Sequence, residues 1–223
     1  MQDQQAKLEW RDGLVPVSTR FDDPYYSLEN GLAETRHVFL DGNDLPARFV
    51  DGFHVGELGF GTGLNFLAAV MAWIASGTPG TLRFTSFEAY PMHPDDMEQA
   101  LAPFTELGDL RDQLVAFWRD HRSGSFLDNV RLDVIEGDAR QALPTPDVMV
   151  DAWFLDGFSP AKNPELWEDA LMHNIGAHTK AGGTFATYTA AGFVRRALDE
   201  AGFDVRRIPG FGRKRHMSVG QKR

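Results

Sequence analysis

A glycine-rich segment with the sequence E-L-G-F-G-T-G-L-N spans Glu57–Asn65 and begins inside an apolar run of strand length. Gly59, Gly61 and Gly63 let the backbone turn tightly and approach a ligand closely, because glycine has no Cβ. The helix-length sequence that follows offers free N–H groups. The dinucleotide fingerprint G-x-G-x-x-G needs glycine where Leu64 stands, and the Gly-Lys-Ser/Thr of a P-loop does not occur. The spacing therefore indicates a nucleotide-binding loop of another type, with a ligand-free glycine turn as the alternative.

Acidic residues follow the next two apolar runs. Glu88 ends the second run, 25 residues past Gly63, where a carboxylate can accept hydrogen bonds from both hydroxyls of a ribose. Asp138 follows the third run and can accept from the amino group of an adenine, while the small Ala139 admits the ring. Taken singly, each acidic residue is also explained as a helix cap or a solvated strand end. Together the three signals follow successive strands, where one adenosyl ligand can touch all of them.

A third feature follows the fourth apolar run, which leads into W-F-L-D-G-F-S-P-A-K-N-P at Trp153–Pro164. Ligands of open α/β sheets bind outside the carboxyl ends of the strands, so we expect Asp156 at the reaction centre. A carboxylate there can orient an amine and take up its proton. Phe158 and Pro160 belong to a stiff apolar loop, and a planar base can stack on the phenyl ring. The alternative is a purely structural loop in which Asp156 caps the next segment.

The elements that position these residues alternate between strand-length and helix-length segments, which predicts a doubly wound α/β fold. The predicted strands are His54–Gly59, Leu82–Glu88, Val130–Glu136, Val150–Asp156, Thr184–Thr189, Phe203–Pro209 and Met217–Gln221. The predicted helices are Gly63–Ala75, Pro94–Phe117 (long enough for two helices), Trp167–Thr179 and Ala191–Ala201. The expected fold is a Rossmann-like, mostly parallel seven-stranded sheet that ends in an antiparallel hairpin.

The turn-rich residues 1–52 differ from the rest of the chain. Pro24 and the Asn30-Gly31 pair break them into short pieces, with some helix expected around Gly31–Phe39. We expect residues 1–52 to be a small N-terminal elaboration packed on the core. Residues 53–223 would then form one domain with a helical insertion near 93–122.

Composition excludes several classes of protein. The chain has 223 residues, 43% of them hydrophobic, and no cysteine, which rules out disulfides and thiolate chemistry. The seven histidines contain no H-x-x-x-H pair, so no metal site is expected. The N-terminal residues are polar, and the longest apolar stretch, Phe66–Ala75, is too short to span a bilayer. We therefore expect a cytoplasmic protein without a membrane partner.

Charge is distributed unevenly. The net charge of −10 argues against a nucleic-acid partner. From Arg195 to Arg223, however, nine Lys+Arg stand against three Asp+Glu, a net of +6 that leaves −16 for the first 194 residues. Such asymmetry marks either an electrostatic footprint on one face or a merely solvated C-terminal hairpin.

Several segments together match one family over nearly the whole chain, from about Trp10 to the end. They are F-D-D-P-Y-Y-S-L-E-N-G-L-A-E-T-R-H-V-F-L, E-L-G-F-G-T-G-L-N-F, S-F-E, D-A-W-F-L-D-G-F-S-P-A-K-N-P, G-F-V-R-R-A-L and G-F-G-R-K-R-H-M. The chain resembles the methyltransferase module of the bifunctional enzymes that complete 5-methylaminomethyl-2-thiouridine at the tRNA wobble position. The Asp-Gly-Phe-Ser-Pro-Ala-Lys-Asn-Pro string is highly specific, whereas the glycine loop alone is not.

The resemblance implies a class I methyltransferase that transfers a methyl group from S-adenosylmethionine to the aminomethyl nitrogen of 5-aminomethyl-2-thiouridine in tRNA. In the bifunctional relatives a flavin-dependent domain first removes a carboxymethyl group. No second glycine-rich segment of flavin-binding type occurs here. We therefore expect a stand-alone methyltransferase or an excised module, with a separate oxidoreductase or precursor-forming enzyme as a partner.

The resemblance and the motifs assign roles to individual residues. Asp156 would hold the amine. The expected cofactor-binding residues are Glu57, Gly59, Gly61, Gly63, Asn65, Glu88, Asp138 and Ala139. The expected substrate-binding residues are Tyr26, Asn30, Glu34 and Thr35, which would close the pocket, the loop residues Phe158 and Pro160, and Arg195, Arg196, Arg213, Lys214 and Arg215, which would contact phosphates.

Two alternative functions stay open. A methyltransferase of a small amine would keep the glycine loop and Asp156 but would have no use for the basic C-terminal cluster. A degenerate, non-catalytic subunit of an RNA-processing assembly is the second, and the acidic residues after three successive strands argue against it.

Overall fold

The computed structural model describes residues 5–27, 30–144 and 148–223. A small antiparallel sheet lies near the N-terminus and comprises β1 (Leu8–Arg11), β2 (Val15–Ser18) and β3 (Asp23–Pro24). It is followed by helix α1 (Gly31–Thr35), a π-helical turn (Arg36–Leu40) and a 3-10 turn (Asp41–Asn43). These short elements confirm the helix expected after the Asn30-Gly31 pair.

The central sheet has eight strands within the described ranges. They are β4 (Phe53–Leu58), β5 (Leu82–Glu88), β6 (Ser123–Leu127), β7 (Val130–Glu136), β8 (Val150–Leu155), β9 (Thr179–Thr187), β10 (Phe203–Pro209) and β11 (His216–Lys222). Their order is β10-β11-β9-β8-β4-β5-β7-β6. Strands β9, β8, β4, β5 and β7 are parallel, β10 and β11 form the predicted antiparallel hairpin, and β6 pairs antiparallel with β7.

The prediction of seven strands was wrong by one, because β6 was not foreseen. Its sequence, S-G-S-F-L, contains Gly124 and two serines and lacks the apolar pattern of a buried strand. A half-exposed edge strand paired on one side needs no such pattern. Strand β9 also begins at Thr179, five residues before the predicted start. Gly182 and Gly183 interrupt the apolar pattern in its first half, so the sequence did not indicate a strand there.

Helices cover both faces of the sheet. They are α2 (Leu64–Ser76), α3 (Pro94–Leu101), α4 (Asp109–Asp120), α5 (Ala139–Ala142), α6 (Asp169–Ala177) and α7 (Gly192–Glu200). The long segment Pro94–Phe117 is divided, as its length allowed. Gly108, at φ 52° and ψ −138°, starts α4 in a conformation that favours glycine.

The core explains why β4 occupies the centre. All six of its residues are buried, as expected for a parallel strand covered on both faces. One cluster of apolar side chains includes Trp73 and Trp118, and a second includes Trp153 and Trp167; all four indoles are fully buried.

The order of the strands determines where a ligand can bind. From β4 the chain proceeds through β5 to β7 on one side, and then returns to β8 and β9 on the other. The boundary between β4 and β8 is therefore the switch point, where a crevice opens beyond the carboxyl ends. Strand β10 runs in the same direction as β9, so the loop 210–215 lies at this edge too. Among the described helices, none has the length and apolar character needed to cross a membrane.

Candidate active site

A cavity of about 1100 Å³ lies at the carboxyl edge of the sheet. The loops that follow β4, β5, β7, β8 and β9 contribute to its lining. It is also lined by residues of the segment 18–39 and of the loop 211–214 between β10 and β11. The cavity is thus assembled from both halves of the sheet and from segments far apart in the chain.

The glycine loop has the backbone conformation that its sequence predicts. Gly59, Gly61 and Gly63 have φ values of 80°, 54° and 78°, a region that L side chains rarely adopt. Gly59 and Gly61 line the cavity. Gly63 lies behind the loop, where an added Cβ would come within 2.6 Å of Leu114. Two of the glycines can therefore face a ligand, and the third allows close packing.

Glu88 stands at the end of β5 with 8% of its surface exposed. Its carboxylate accepts hydrogen bonds from the backbone N–H groups of Gly61 (2.9 Å) and Tyr90 (2.7 Å). Burial raises the pKa of Glu88, and these backbone donors oppose the rise. A carboxylate in the cavity wall can also accept hydrogen bonds from the hydroxyls of a ribose.

Asp138 lines the cavity and also caps α5. It accepts a hydrogen bond from the backbone N–H of Arg140 (2.9 Å), and the Arg140 guanidinium binds the same carboxylate at 2.5 Å. This pairing lowers the pKa of Asp138. The neighbouring Ala139 is buried and small, as the predicted adenine site requires. Asp138 is thus both a helix cap and a candidate adenine ligand, because the residue that caps α5 also lies in the cavity wall.

Asn65 connects three polar residues beneath and beside the cavity. Its amide nitrogen donates to Glu57 Oε1 (3.0 Å) and to Asp156 Oδ2 (2.8 Å). Its amide oxygen accepts from the Thr35 hydroxyl at 2.9 Å. Glu57 is fully buried below the cavity, accepts a second hydrogen bond from Ser86 (2.6 Å), and has its pKa raised well above the ordinary value by burial. Glu57 is therefore positioned to hold Asn65 rather than to meet a ligand directly.

Asp156 is half-buried at the end of β8. Its other oxygen, Oδ1, accepts from the backbone N–H of Gly157 at 2.8 Å. Burial raises the pKa of Asp156 to about 6, against the effect of the hydrogen bonds from Asn65 and Gly157. The Glu34 carboxylate raises it further, and the Lys214 ammonium lowers it. The group is consequently an ionised carboxylate at neutral pH, close enough to its pKa to exchange a proton.

The loop after β8 is fixed by the N-terminal segment. The Phe158 ring stacks on Phe21, with 4.7 Å between ring centroids, and the Ser159 N–H donates to Asp23 at 2.9 Å. Phe158 lines the cavity, but Phe21 covers one of its faces. A substrate base can therefore stack on one side at most. Pro160, which was expected to bind the substrate, lies outside the cavity lining.

The four residues expected to close the pocket have different positions. Glu34, Thr35 and Tyr26 line the cavity. The Tyr26 hydroxyl lies 2.9 Å from carbonyl oxygens of the β1–β2 turn and of α3, which anchors the segment. Asn30 caps α1 by accepting from a backbone N–H of that helix at 2.9 Å, so its observed role is structural.

The five basic residues expected to contact phosphates are divided between two places. Lys214 enters the cavity lining, with its Nζ 2.7 Å from Glu34 Oε1. Arg213 also lines the cavity. The other three lie outside it, two on α7 beside a cleft of about 300 Å³ and one on the exposed hairpin loop: Arg195, Arg196 and Arg215.

Tyr188 is a cavity residue that the sequence motifs did not reveal. It follows β9 at the carboxyl edge, and its hydroxyl donates to the Gly157 carbonyl at 2.8 Å. The Lys214 Nζ lies 4.3 Å from the centroid of its ring. The rule that ligands bind beyond strand ends could have singled it out, since it comes directly after the strand.

The lining suits the adenosyl cofactor that the sequence predicts. Glycines without side chains, the acceptor Glu88, and Asp138 beside the small Ala139 follow three parallel strands that are neighbours in the sheet. At about 1100 Å³, the cavity is slightly larger than a typical small-molecule site. A cofactor and a second ligand can therefore fit together.

Comparisons with known proteins agree with this geometry. The family model described as S-adenosyl-L-methionine-dependent methyltransferase matches residues 105–223. The tRNA 5-methylaminomethyl-2-thiouridine biosynthesis bifunctional protein MnmC of Aeromonas hydrophila is 45% identical over 234 residues, which cover 97% of this chain and 35% of the relative. The protein of the same name from Chromobacterium violaceum is 46% identical over 226 residues, covering 96% and 34%. The chain spans about a third of the length of these relatives.

Two solved structures share the fold. MNMC2 from Aquifex aeolicus has a TM-score of 0.75 at 24% identity, with 98% of this chain and 71% of that chain covered. TrmN from Thermus thermophilus has a TM-score of 0.51 at 20% identity, with 82% and 47% covered. The match of the family model to more than half of the chain, over a Rossmann-like sheet with this cavity, leads to one conclusion. The chain belongs to the S-adenosyl-L-methionine-dependent methyltransferases, and its cofactor is S-adenosylmethionine.

Proposed function

We propose that the chain transfers a methyl group from S-adenosylmethionine to the aminomethyl nitrogen of 5-aminomethyl-2-thiouridine at the wobble position of tRNA. The observation that carries this proposal is the half-buried Asp156 carboxylate, whose two oxygens are held by Asn65 and Gly157 at the cavity wall. A fixed proton acceptor of this kind suits an amine substrate. The relatives named for 5-methylaminomethyl-2-thiouridine biosynthesis support the choice of nucleoside.

For the cofactor, we propose that Gly59 and Gly61 allow the backbone to approach it closely. Glu88 would accept hydrogen bonds from its ribose, and Asp138 with Ala139 would receive its adenine. The bound cofactor supplies an electrophilic methyl group on a sulfonium. Methyl transfer needs no covalent link to the protein, so the task of these residues is to position the ligand and exclude water.

Asp156 has two tasks in this proposal. It orients the nitrogen of the substrate and takes up the proton that the nitrogen loses, directly or through water. A carboxylate with a pKa of about 6 is ionised at neutral pH, yet it is a stronger base than an exposed aspartate. Thr35 and Phe158, which line the same cavity, would exclude water around the base.

The wider setting follows from the same proposal. Residues 1–52 would be an elaboration that closes the pocket of a methyltransferase domain formed by residues 53–223, with the helices α3 and α4 as its insertion. A separate oxidoreductase or precursor-forming enzyme would provide the aminomethyl group. The protein would act on tRNA in the cytoplasm.

The experiment that tests this function uses labelled S-adenosylmethionine and tRNA that lacks the final methyl group, followed by nucleoside analysis. We expect label in 5-methylaminomethyl-2-thiouridine. Asp156→Ala should lower the rate by about 10²–10⁴-fold, the usual effect of losing a positioned proton acceptor, with cofactor affinity unchanged within a few-fold. Absence of label with the unaltered protein would overturn the substrate, and near-normal turnover of the variant would remove Asp156 from its role.

The charge of −16 over the first 194 residues favours a second candidate, a methyltransferase of a small amine. The same assay separates the two functions. A free amine or nucleoside methylated as fast as tRNA, without dependence on salt, would support the small substrate.

A further inference from the structure

The cavity already contains one primary ammonium group, that of Lys214. This residue belongs to the loop between β10 and β11, whereas its partner Glu34 lies on α1. The distance from Lys214 Nζ to Glu34 Oε1 is 2.7 Å. The side chain of Glu34 is only 13% exposed, compared with 49% for that of Lys214. The carboxylate is thus the shielded member of the pair, and the lysine is the more exposed one.

An aromatic face completes the surroundings of this ammonium. Lys214 Nζ lies 4.3 Å from the centroid of the Tyr188 ring, within the distance at which a cation is attracted to a π-system. The Tyr188 hydroxyl donates to the Gly157 carbonyl at 2.8 Å, so the ring is anchored next to Asp156. The charge of Lys214 also acts on the Asp156 carboxylate and lowers its pKa.

Asp156 and the Tyr188 ring are held by contacts that do not involve the lysine. Thr35, the residue after Glu34, donates to Asn65, which in turn donates to Asp156. Gly157 holds the other oxygen of Asp156. Asp156 and the aromatic ring therefore keep their positions when the lysine side chain moves away, and Glu34 stays beside Thr35 on α1.

This arrangement has the chemistry of a site for an alkylammonium ion. A carboxylate gives a charge-assisted hydrogen bond, a second carboxylate adds electrostatic attraction, and a ring face adds a cation–π contact. We propose that Glu34, Tyr188 and Asp156 bind the aminomethyl group of the substrate as its ammonium, and that Lys214 occupies this site until the substrate displaces it. The inference rests on the proposed function, since it names where the substrate amine lies.

The test compares two nucleosides, 5-aminomethyl-2-thiouridine and its neutral 5-hydroxymethyl analogue, by calorimetric titration of protein saturated with S-adenosylhomocysteine. Lys214→Met removes the competing ammonium but keeps the length of the side chain. It should tighten binding of the aminomethyl nucleoside by about tenfold and leave the hydroxymethyl analogue unaffected. Glu34→Gln should weaken binding of the aminomethyl nucleoside by roughly tenfold or more, the usual effect of losing a charged hydrogen-bond partner.

Lys222→Met is the matched control. This lysine also lies over an aromatic ring, 5.4 Å from the centroid of Phe203, but it is on the hairpin strand β11 outside the cavity lining. Its replacement should change the affinity of neither nucleoside. Titration of S-adenosylhomocysteine into each variant checks that the protein is folded.

Several outcomes would overturn the proposal. Weaker or unchanged binding of the aminomethyl nucleoside to Lys214→Met would show that the lysine does not compete with it. An equal gain for both nucleosides would show that the lysine only fills space. If the unaltered protein methylates tRNA but the titrations give either of these outcomes, only the proposed position of the substrate amine is wrong. If it does not methylate tRNA, the proposed function fails, and the titrations still decide whether the cavity binds an ammonium.

Discussion

At the scale of single residues, Asp156 and Glu57 share the amide of Asn65. The Thr35 hydroxyl donates to the amide oxygen, so the amide nitrogen must face the two carboxylates. The position of Asp156 was predictable because a residue at the end of a buried parallel strand faces the ligand crevice. The contact of Asn65 with both carboxylates was not predictable, because an asparagine after a glycine loop does not by itself indicate which groups its side chain reaches.

Asn65→Ala should move the acidic limb of the pH profile of kcat/KM upward from about pH 6. In the proposed mechanism activity needs ionised Asp156, so it should fall as the pH drops through the pKa of that residue, about 6. The Asn65 donor favours the ionised form, and its loss raises this pKa further. Ser86→Ala, which removes a donor to Glu57 alone, is the control and should leave the limb in place. An unshifted limb in Asn65→Ala would show that the contact does not tune Asp156.

Glu88→Ala should weaken binding of S-adenosylmethionine by roughly 1–3 kcal/mol, because the ribose hydroxyls would lose a charged acceptor. The carboxylate also holds the Gly61 N–H, so part of the loss could come from a loosened glycine loop. Glu88→Gln keeps one oxygen acceptor and should lose less. Calorimetry that finds the same dissociation constant in Glu88→Ala and the unaltered protein would remove Glu88 from the site.

At the scale of elements, the buried parallel strands were predictable and the edges of the molecule were not. Strands such as Val150–Leu155 are covered on both faces, and so they appear in the sequence as continuous apolar runs. Strands β1, β3 and β6 have two to five partly exposed residues and lie in the small sheet or at the edge of the large one, where pairing rather than burial defines them. Strand β2 is buried, but it has only four residues and contains Pro16, so it shows no clear strand pattern. The contacts of the N-terminal segment with the Phe158 loop could not be predicted from the sequence either, because they join residues far apart in the chain.

The glycine loop allows a prediction with a matched control on the neighbouring helix end. Gly61 and Gly77 have φ values of 54° and 64°, so alanine at either position should cost about 1–2 kcal/mol of backbone strain. An added Cβ at Gly61 would come within 3.1 Å of the Tyr25 ring beside the cavity, whereas Gly77 has nothing within 4 Å. Both variants should have a lower free energy of unfolding in urea. Only Gly61→Ala should bind S-adenosylmethionine more weakly, and equal affinity in the two variants would contradict a ligand role for the loop.

At the scale of the whole molecule, the basic C-terminal charge forms two separate groups. Lys214 pairs with Glu34 at the cavity, so in our proposal it competes with the substrate amine instead of contacting phosphates. The β10–β11 register places Arg207 opposite Ser218 and Pro209 opposite His216, so Arg207 and His216 point to the same face of the sheet. Burial and the positive charges of Arg207, Arg215 and Arg195 together lower the pKa of His216. These arginines therefore form a basic group outside the cavity.

An acidic protein that acts on tRNA must meet the phosphates with such a local group. Replacing the exposed Arg207 and Arg215 with alanine should raise the dissociation constant for tRNA and lower its salt slope by about one unit per lost contact, because fewer counterions are released. Binding of S-adenosylmethionine should hardly change, because its expected contacts follow β4, β5 and β7. Arg131→Ala, at an exposed ion pair with Asp133 on β7, is the control and should leave the slope unchanged. Loss of both ligands in the double variant would mean misfolding. Unaltered tRNA affinity across the salt series would mean that these arginines only solvate the hairpin, and would favour the small-amine substrate instead.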